Sequence, residues 1–402
     1  MMPLRFSLLL AAALAGLLGG CPKRKPHLTS GTALGSARKA VRDCSDPSCR
    51  EIAIAGDAPP KLAGKPAPLR GYGDPSLTVG PDGKTLVLSY TLVSYHPRAA
   101  KSAGEITDGA LSIHVATSDD AGATFRFRRA ARDASAGNDP AGRAGAGYWA
   151  HEVSTITHHR GHWWLAWFSY FDPRGKAERT GDSMHLRLAR ADTLEGLGKA
   201  PAEEAVIAGP LLHASLGRTV DVSALDESLS RCKVFTEPAL FSTQGTLYLA
   251  LQCIVVDFAS GKPRRQPQRE LIALLASDGS KSPKQLQWRY VGALTRASLA
   301  KKLGTEVLTQ PELTRDARGG FLLLVTGKNL ASKRHEGCYA LRIEKLDPPR
   351  VNATPLAYIQ SSNASGPLSG QCSYDAASAL GLLFVRHEQP GIFTLHASGL
   401  RL

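Results

Sequence analysis

The chain has 402 residues and a formal net charge of +14 at pH 7, from 49 Lys and Arg against 35 Asp and Glu. Its basic residues are scattered and accompany no nucleic-acid-binding signature, so nucleic acid is excluded as an expected partner. The charge fits an anionic polysaccharide or lipid headgroup partner, and equally fits a solubilising surface.

Residues 1–20 predict a bacterial signal peptide with an acylation site. A positively charged start precedes an apolar run over residues 6–18, which is too short to span a bilayer comfortably. The run ends in small residues before Cys21, a pattern that resembles the bacterial lipobox. The resemblance implies a lipid anchor on Cys21 and no transmembrane helix. Because Pro22 stands where inner-membrane lipoproteins carry Asp, we expect the cell envelope, and there the outer membrane, as the location.

Residues 21–50 predict a flexible, lipidated tether that ends in a small cysteine loop, because most of this segment is polar and rich in small residues. Of the seven cysteines, six follow Cys21, and an even number in an oxidising compartment favours disulfide bonds. Other pairings remain open, but closeness along the chain and the predicted strands favour Cys44 with Cys49, Cys232 with Cys253, and Cys338 with Cys372.

Five segments share one sequence pattern. Each begins with a polar or acidic residue at the start of a short strand, continues with a turn that contains Gly or Asp, and ends with a second, strongly apolar strand. They begin at Asp74, His151, Glu237, Pro311 and Gln371. A third strand follows each segment and a fourth follows most, so each repeat predicts a four-stranded antiparallel blade. The sequence therefore predicts an all-β domain over residues 51–402, a five-bladed β-propeller, with a six-bladed sialidase-like propeller as the alternative.

Two local patterns refine this prediction. The segment Glu51 to Ala55 is placed to supply the missing outer strand of the fifth blade, because a propeller must close its ring. A turn between the third and fourth strands of the first blade resembles the Asp-box of sialidases and related propellers. In such a turn the Ser and Asp side chains accept backbone N–H groups, Gly permits a left-handed conformation and the aromatic ring packs between sheets. The residues that carry the resemblance are Ser118, Asp120, Gly122, Thr124 and Phe125.

Acidic residues near the start of the inner strands are the candidate catalytic groups, because these strands line the central channel. They are Asp74, Glu152, Glu237 and Glu312. Carboxylates that converge on one axis repel one another unless a cation such as a structural calcium, neighbouring Lys or Arg, or raised pKa values offset the repulsion. Tyr148, Trp149, Trp163, Trp164 and Trp167 are candidates for sugar stacking, with inter-blade core as the alternative.

The acidic constellation resembles the five-bladed glycoside hydrolases: arabinanases, β-xylosidases, invertases and levansucrases. The resemblance implies that Asp74, in an Asp-Pro context, is base or nucleophile and that Glu237 is the proton donor, with no cofactor required. Glu152 departs from the family, because an Asp is expected in the second blade. The alternative is a non-catalytic propeller that binds a glycan or holds another envelope protein, with acidic residues that only cap turns.

An exo-sialidase is the third interpretation, although the Arg-Ile-Pro motif of that family is missing and its propellers have six blades. Such a site needs an arginine trio, for which Arg70, Arg315 and Arg386 are candidates, and a tyrosine nucleophile. The remaining residues expected to line the funnel with Arg70 and Arg315 are His151, Tyr374 and Asp375. No metal site is predicted, because the three histidines of the hairpin turn at 158–162 lack a carboxylate ligand.

Overall fold

The structure is a computed structural model that describes residues 41–44, 49–58, 61–62, 65–67, 69–95, 109–143, 145–173, 179–198, 204–258, 263–332, 334–360, 370–389 and 391–402. The predicted signal peptide and the acylation site at Cys21 lie outside these residues. Within the described ranges, no helix is both long enough and apolar enough to cross a membrane.

Most described residues belong to β-strands, which are numbered in chain order. The short amino-terminal strands are β1 (Val41–Asp43), β2 (Arg50–Glu51), β3 (Ile54–Ala55), β4 (Lys61–Leu62) and β5 (Lys65–Pro66). The first blade consists of β6 (Arg70–Val79), β7 (Leu86–Tyr95), β8 (Gly109–Ser118) and β9 (Phe125–Arg132). The second blade consists of β10 (Ser135–Asn138), β11 (Ala146–His159), β12 (His162–Pro173), β13 (His185–Ala191), β14 (Ala205–Ala208) and β15 (Val220–Asp221).

The remaining blades follow the same antiparallel plan. The third consists of β16 (Cys232–Thr243), β17 (Thr246–Asp257), β18 (Arg264–Arg265), β19 (Leu271–Ser277) and β20 (Arg289–Arg296), and the helix α1 (Ala297–Leu303) follows it. The fourth consists of β21 (Val307–Arg315), β22 (Phe321–Asn329), β23 (Arg334–Leu346) and β24 (Pro349–Gln360). The fifth consists of β25 (Gly370–Ser373), β26 (Leu383–Gln389) and β27 (Ile392–Ala397). Short 3-10 turns lie at Gly181–Ser183, Leu194–Gly196, Ala214–Leu216, Val222–Ala224, Glu227–Leu229, Pro267–Arg269 and Pro283–Gln285.

The innermost strands of the blades surround one axis. Going around the ring, β6 lies beside β11, β11 beside β16, β16 beside β21, β21 beside β25, and β25 beside β6. This arrangement is a β-propeller, which confirms the predicted fold class, and the described strands form five such blades. The middle strands, such as β19, are buried along their whole length because both faces of each blade contact neighbouring blades.

The amino-terminal segment binds the outer edges of three successive blades. Strand β1 pairs in parallel with β24 of the fourth blade, and β2 pairs antiparallel with β27 and becomes the fourth strand of the fifth blade. The next strand, β3, pairs in parallel with β9 of the first blade. The expectation that all of residues 51–55 would complete the fifth blade is therefore wrong for Ile54 and Ala55. The segment divides because the edge strands of both blades present unpaired backbone groups.

Covalent bonds and apolar packing hold the blades together. All three predicted disulfides are confirmed, and Cys338–Cys372 links the fourth blade to the fifth. Trp164 and Trp167 are at most 1% exposed and belong to the core, and Trp163 is 6% exposed. Trp149 is half-buried and packs edge-on against Phe171. Burial therefore favours the inter-blade core alternative for Trp163, Trp164 and Trp167, whereas a sugar-stacking role for Trp149 stays a prediction.

Candidate functional site

Each inner strand contains one non-glycine residue with a positive φ angle at the point where its pairing register shifts. These residues are Asp74 (47°), Val153 (53°), Glu237 (53°), Gln310 (49°) and Gln371 (55°). A bulge of this kind turns a side chain out of the sheet and is common beside functional sites. The five residues occupy equivalent positions around the axis, and we call them the bulge ring and their end of the channel the entrance.

The bulge ring corrects the register of two predicted site residues. Glu152 stands one residue before its bulge residue, Val153, and Glu312 stands two residues after Gln310. Only Asp74 and Glu237 are therefore equivalent carboxylates. An alignment of the repeats on their acidic residues therefore places Glu152 and Glu312 in the wrong register. The sequence of one protein does not show directly where a strand contains a bulge. The one available signal was proline, which directly follows the bulge residue in the first, third and fourth blades.

Hydrogen bonds between neighbouring blades connect members of the bulge ring. The side chain of one bulge residue accepts the backbone N–H of the next: Gln371 Oε1 from Asp74 (3.3 Å), Asp74 Oδ2 from Val153 (3.3 Å), and Glu237 Oε2 from Gln310 (2.6 Å). The apolar side chain of Val153 cannot accept the N–H of Glu237 in this way. The carboxylates of Asp74 and Glu237 thus help to hold the blades together, whatever else they do.

Asp74 is buried, 7% exposed, and held by two further donors. Thr91 Oγ1 donates to its Oδ2 (2.8 Å), and the amide of Gln310 donates to its Oδ1 across the channel (3.2 Å). Burial raises the pKa of Asp74 to about 6 and the nearby Glu237 adds to the rise, while the hydrogen bonds from Thr91 and the Val153 N–H oppose it. The carboxyl group is therefore fixed in orientation and titrates close to neutral pH.

Glu152 has different surroundings. Its side chain is half-buried and makes no hydrogen bond or ion pair with the described residues. Burial first and the charge of Asp74 second raise the pKa of Glu152 to about 8, although Arg179 and Lys328 oppose the rise. A carboxyl group with these properties is largely protonated at pH 7 and has a free O–H to donate.

Tyr170 and Arg179 lie beside Glu152. Glu152 pairs with Phe168 and Ala150 with Tyr170, so the tyrosine is on the same face of the second blade as the glutamate. The Tyr170 hydroxyl is buried and has no hydrogen-bond partner among the described residues. Arg179 lies 4.6 Å from the centre of the Tyr170 ring, and Asp172 holds its guanidinium group in a two-point ion pair (2.7 and 2.8 Å).

Glu237 is held from the fourth blade. Its Oε2 accepts hydrogen bonds from the Thr309 hydroxyl and the Gln310 N–H. Lys328, which sequence reasoning did not single out, is 5% exposed and lies near Glu237 and Glu152. Burial lowers the pKa of Lys328, and both carboxyl groups oppose that shift. The entrance therefore combines three carboxyl groups with one buried amine.

Glu312 lies deeper in the channel. Its Oε1 accepts hydrogen bonds from the hydroxyls of Ser76 and Ser373, each at 3.0 Å. Burial raises its pKa to about 8, with a smaller contribution from Asp375. The cavity between the bulge ring and Glu312 has a volume of about 20 Å³, room for roughly one water molecule. Glu312 therefore lies below the bulge ring, apart from the three carboxyl groups of the entrance.

Three residues expected at the entrance lie toward the other end of the channel. Arg315 is the last residue of β21, and its guanidinium group lies over the ring of Phe321 (4.9 Å). The Tyr374 hydroxyl donates to the carbonyl of Leu402 (3.0 Å), and Asp375 accepts the N–H of Val79 (3.0 Å). All three follow the bulge along their strands, and a strand carries its residues away from the entrance at about 3.3 Å per residue.

His151 and Arg70 do not join the site either. His151 points to the opposite face from Glu152 and contacts Ser169 Oγ (2.9 Å), and burial holds its pKa well below the usual value. Arg70 donates to the carbonyl of Ala67 (2.5 Å) at the beginning of β6. Because Arg70 and Arg315 lie at opposite ends of their inner strands, the arginine trio that a sialidase site requires does not assemble.

The Asp-box turn lies between β8 and β9. Ser118 Oγ accepts the N–H of Gly122 (2.9 Å), and Asp120 Oδ1 accepts the N–H of Thr124 (2.9 Å). Gly122 has a φ angle of 92°, and Phe125 is fully buried. The turn is exposed and faces away from the bulge ring, so its hydrogen bonds shape the blade rather than the entrance.

Within the described ranges, no group of three or more His, Cys, Asp or Glu side chains could hold a metal ion. The oxygens of Asp74 and Glu237 accept N–H and O–H groups instead. A structural calcium in the channel stays a prediction.

Known proteins resemble the chain in structure rather than in sequence. No family model matches it, and no curated protein matches it. Zg3597, a family 117 glycoside hydrolase of the marine bacterium Zobellia galactanivorans, is 12% identical over 91% of this chain and 92% of its own, with a TM-score of 0.49. An endo-arabinase of Bacteroides thetaiotaomicron is 13% identical over 81% and 91%, with a TM-score of 0.41. The Hadza microbial sialidase Hz136 is 11% identical over 82% and 66%, with a TM-score of 0.45.

Proposed function

We propose that the chain is a carbohydrate-directed β-propeller that binds a glycan at the channel entrance and hydrolyses a glycosidic bond there. The observation that carries this proposal is the pairing of two unlike carboxyl groups. Asp74 is oriented by three donors, whereas Glu152 is half-buried, has no partner among the described residues and has a pKa of about 8. Two carboxyl groups whose surroundings separate their pKa values are typical of acid-base catalysis.

The roles follow from these surroundings. Glu152 carries a proton at neutral pH and donates it to the departing glycosidic oxygen, while Asp74, ionised above about pH 6, attacks the anomeric carbon or activates water. Glu237, which the family resemblance made the proton donor, has its Oε2 occupied by Thr309 and Gln310. It fits a positioning role better than a proton-donating one.

A hydrolysis screen tests the proposal. The full chain carrying Cys21→Ala is assayed on aryl arabinofuranosides, xylosides and other aryl glycosides beside Glu152→Gln and Glu312→Gln. We expect Glu152→Gln to lower kcat by about 100-fold or more, because general acid catalysis contributes roughly 10²–10⁴. Glu312→Gln, a matched change of a buried carboxyl group outside the entrance, should retain most of the activity. Turnover that survives Glu152→Gln would contradict the assignment.

The second candidate function is glycan binding without cleavage. The observation that favours it is Val153, which puts an apolar side chain at the second position of the bulge ring, while Asp74 and Glu237 connect the blades. Calorimetric titration with the same glycans separates the two functions. Binding by wild type and Glu152→Gln alike, with no product from either, would favour recognition over catalysis.

We also propose that acylated Cys21 anchors the protein in the bacterial cell envelope, where the propeller could also contact another envelope protein. The support is the sequence at residues 1–22 alone. Growth with radiolabelled palmitate should label the wild type and not Cys21→Ala. Fractionation should place the labelled protein in the outer membrane, and label in the inner membrane would contradict that location.

A further inference from the structure

A groove of about 540 Å³ lies on the rim between the third and fourth blades. The 3-10 turn at Pro267–Arg269 forms one wall, and α1 with the residues after it forms the other. Gln268, Ser298 and Thr305 contribute polar side chains, and Pro267 and Ala297 contribute apolar surface. This volume is in the range of small-molecule sites, and the mixture of polar and apolar groups suits a saccharide.

Basic residues outnumber acidic ones around the groove. Exposed Arg269, Arg296, Lys301 and Lys302 line the groove or adjoin a lining residue, and no described carboxylate pairs with them. The acidic neighbours are fewer, and each accepts a hydrogen bond or an ion pair from the protein. Glu306 accepts the N–H of Leu330 (2.8 Å), Glu336 accepts from the Thr305 hydroxyl (2.7 Å), and Glu270 pairs with Arg265 (2.5 Å).

The groove opens at the same end of the propeller as the entrance. Strand β21 begins at Val307, directly after the groove residues Thr305 and Glu306, and reaches Gln310 of the bulge ring three residues later. Three residues of strand span roughly 10 Å. Val307 pairs with Lys328, so a buried amine lies between the groove and the carboxyl groups at the entrance.

We propose that this groove binds the acidic units of an anionic glycan, whose carboxylate, sulfate or phosphate groups contact Lys301, Lys302, Arg269 and Arg296. The inference rests on the proposed function and extends it, because it names an acidic saccharide as the ligand class and places its charged units outside the entrance. The inference also assigns a binding role to some of the basic residues that give the chain its net charge of +14.

Calorimetric titration with oligogalacturonate, a sulfated oligosaccharide and a neutral arabino-oligosaccharide tests this inference. The groove variant is Lys301→Glu/Lys302→Glu. The matched control is Lys84→Glu/Lys345→Glu, which changes the net charge equally at exposed positions outside the groove. We expect about a tenfold or larger loss of affinity for the acidic ligands in the groove variant, less than about twofold in the control, and weaker binding of the neutral ligand throughout.

Three outcomes would overturn the inference. Equal losses in both double variants would mean that net charge alone attracts the ligand. Tighter binding to phosphatidylglycerol vesicles than to either acidic oligosaccharide would assign the surface to lipid headgroups. If neither acidic oligosaccharide binds, the groove does not recognise the proposed class of ligand. Comparing the groove variant with its control for hydrolysis as well keeps this test separate from the proposed function, because the groove inference concerns the affinity for acidic oligosaccharides, whereas the proposed function concerns cleavage, which depends on Glu152.

Discussion

Two aspartates in the first blade show how strongly burial decides the chemistry of a carboxyl group. Asp120, in the exposed Asp-box turn, accepts hydrogen bonds from Ser118 Oγ, Thr124 N–H and Thr124 Oγ1. Asp74, at the entrance, also accepts three hydrogen bonds, from one hydroxyl, one backbone N–H and one amide. The number of donors is the same, yet the pKa of Asp120 is lowered by its hydrogen bonds and the pKa of Asp74 is raised to about 6.

The difference lies in the solvent. Asp120 keeps contact with water, so its donors add to hydration and favour the ionised form. Asp74 is removed from water and accepts three hydrogen bonds inside a channel that also contains Glu237 and Glu152. Desolvation raises its pKa by more than the hydrogen bonds lower it. A propeller can therefore use the same side chain to shape a turn at its surface and to hold a titratable group at its axis.

The largest expected effect is on the pH dependence of hydrolysis. Activity should fall below about pH 6 as Asp74 gains a proton, and above about pH 8 as Glu152 loses its own, which gives a bell-shaped profile of kcat/KM. Asp120→Asn should leave both limbs in place. A profile that is flat between pH 5 and pH 9 would contradict the assignment of these two groups.

The second prediction concerns stability, and the two aspartates should show opposite pH trends. Asp74→Ala should lower the free energy of unfolding by about 2 kcal/mol at pH 5, because it leaves the buried side-chain amide of Gln310 without an acceptor, whereas the Val153 N–H keeps Thr91 Oγ1. The folded-state pKa of Asp74 is raised, so wild type loses stability as pH rises from about 4 to about 6, and the difference should shrink at pH 7.

Asp120→Ala is the counterpart. Its folded-state pKa is lowered, so its contribution is present at neutral pH and is lost as pH falls through that value. Urea unfolding at pH 3, 5 and 7 measures both variants. Parallel trends for the two would contradict the role of burial.

The third prediction isolates a buried carboxyl group away from the entrance. Glu312→Gln keeps an oxygen that can accept from Ser76 and Ser373, and it removes the cost of ionising a group whose pKa is about 8. We expect the variant to exceed wild type in unfolding free energy by roughly 4 kcal/mol at pH 9 and by less than about 1 kcal/mol near pH 5. Glu195→Gln, on the surface, should change little at either pH, and an equal gain there would refute the explanation.

The smallest effect compares two buried tyrosines. Tyr170 has a hydroxyl without a partner among the described residues, whereas the Tyr90 hydroxyl donates to the carboxylate of Asp57. Tyr170→Phe should therefore be neutral or stabilising by up to about 1 kcal/mol, and Tyr90→Phe should destabilise by about 1–2 kcal/mol. Thermal unfolding of the pair measures the contrast, and a clear loss of stability in Tyr170→Phe would reveal a partner for that hydroxyl.

Much of the fold could be predicted from local patterns. Alternating apolar residues, Gly and Asp turns and the recurrence of the pattern predict the four-stranded blades, and the spacing of the cysteines favours the three observed pairs. Each of these signals depends on residues close together in sequence or on a repeat. The path of the amino-terminal segment could not be predicted from such local signals, because no residue near Ile54 indicates that the distant strand β9 has a free edge.

The candidate site divides in the same way. The sequence by itself determined the type of fold, the presence of carboxyl groups near the starts of the inner strands and the excess of positive charge. Only the tertiary structure decided that Val153 and Gln310 share the bulge ring with Asp74 and Glu237, that Glu312 lies below that ring, and that Lys328 lies near Glu237 and Glu152. The physical reason is that bulge position, burial and the resulting pKa values depend on contacts between blades, whose members are far apart in the chain.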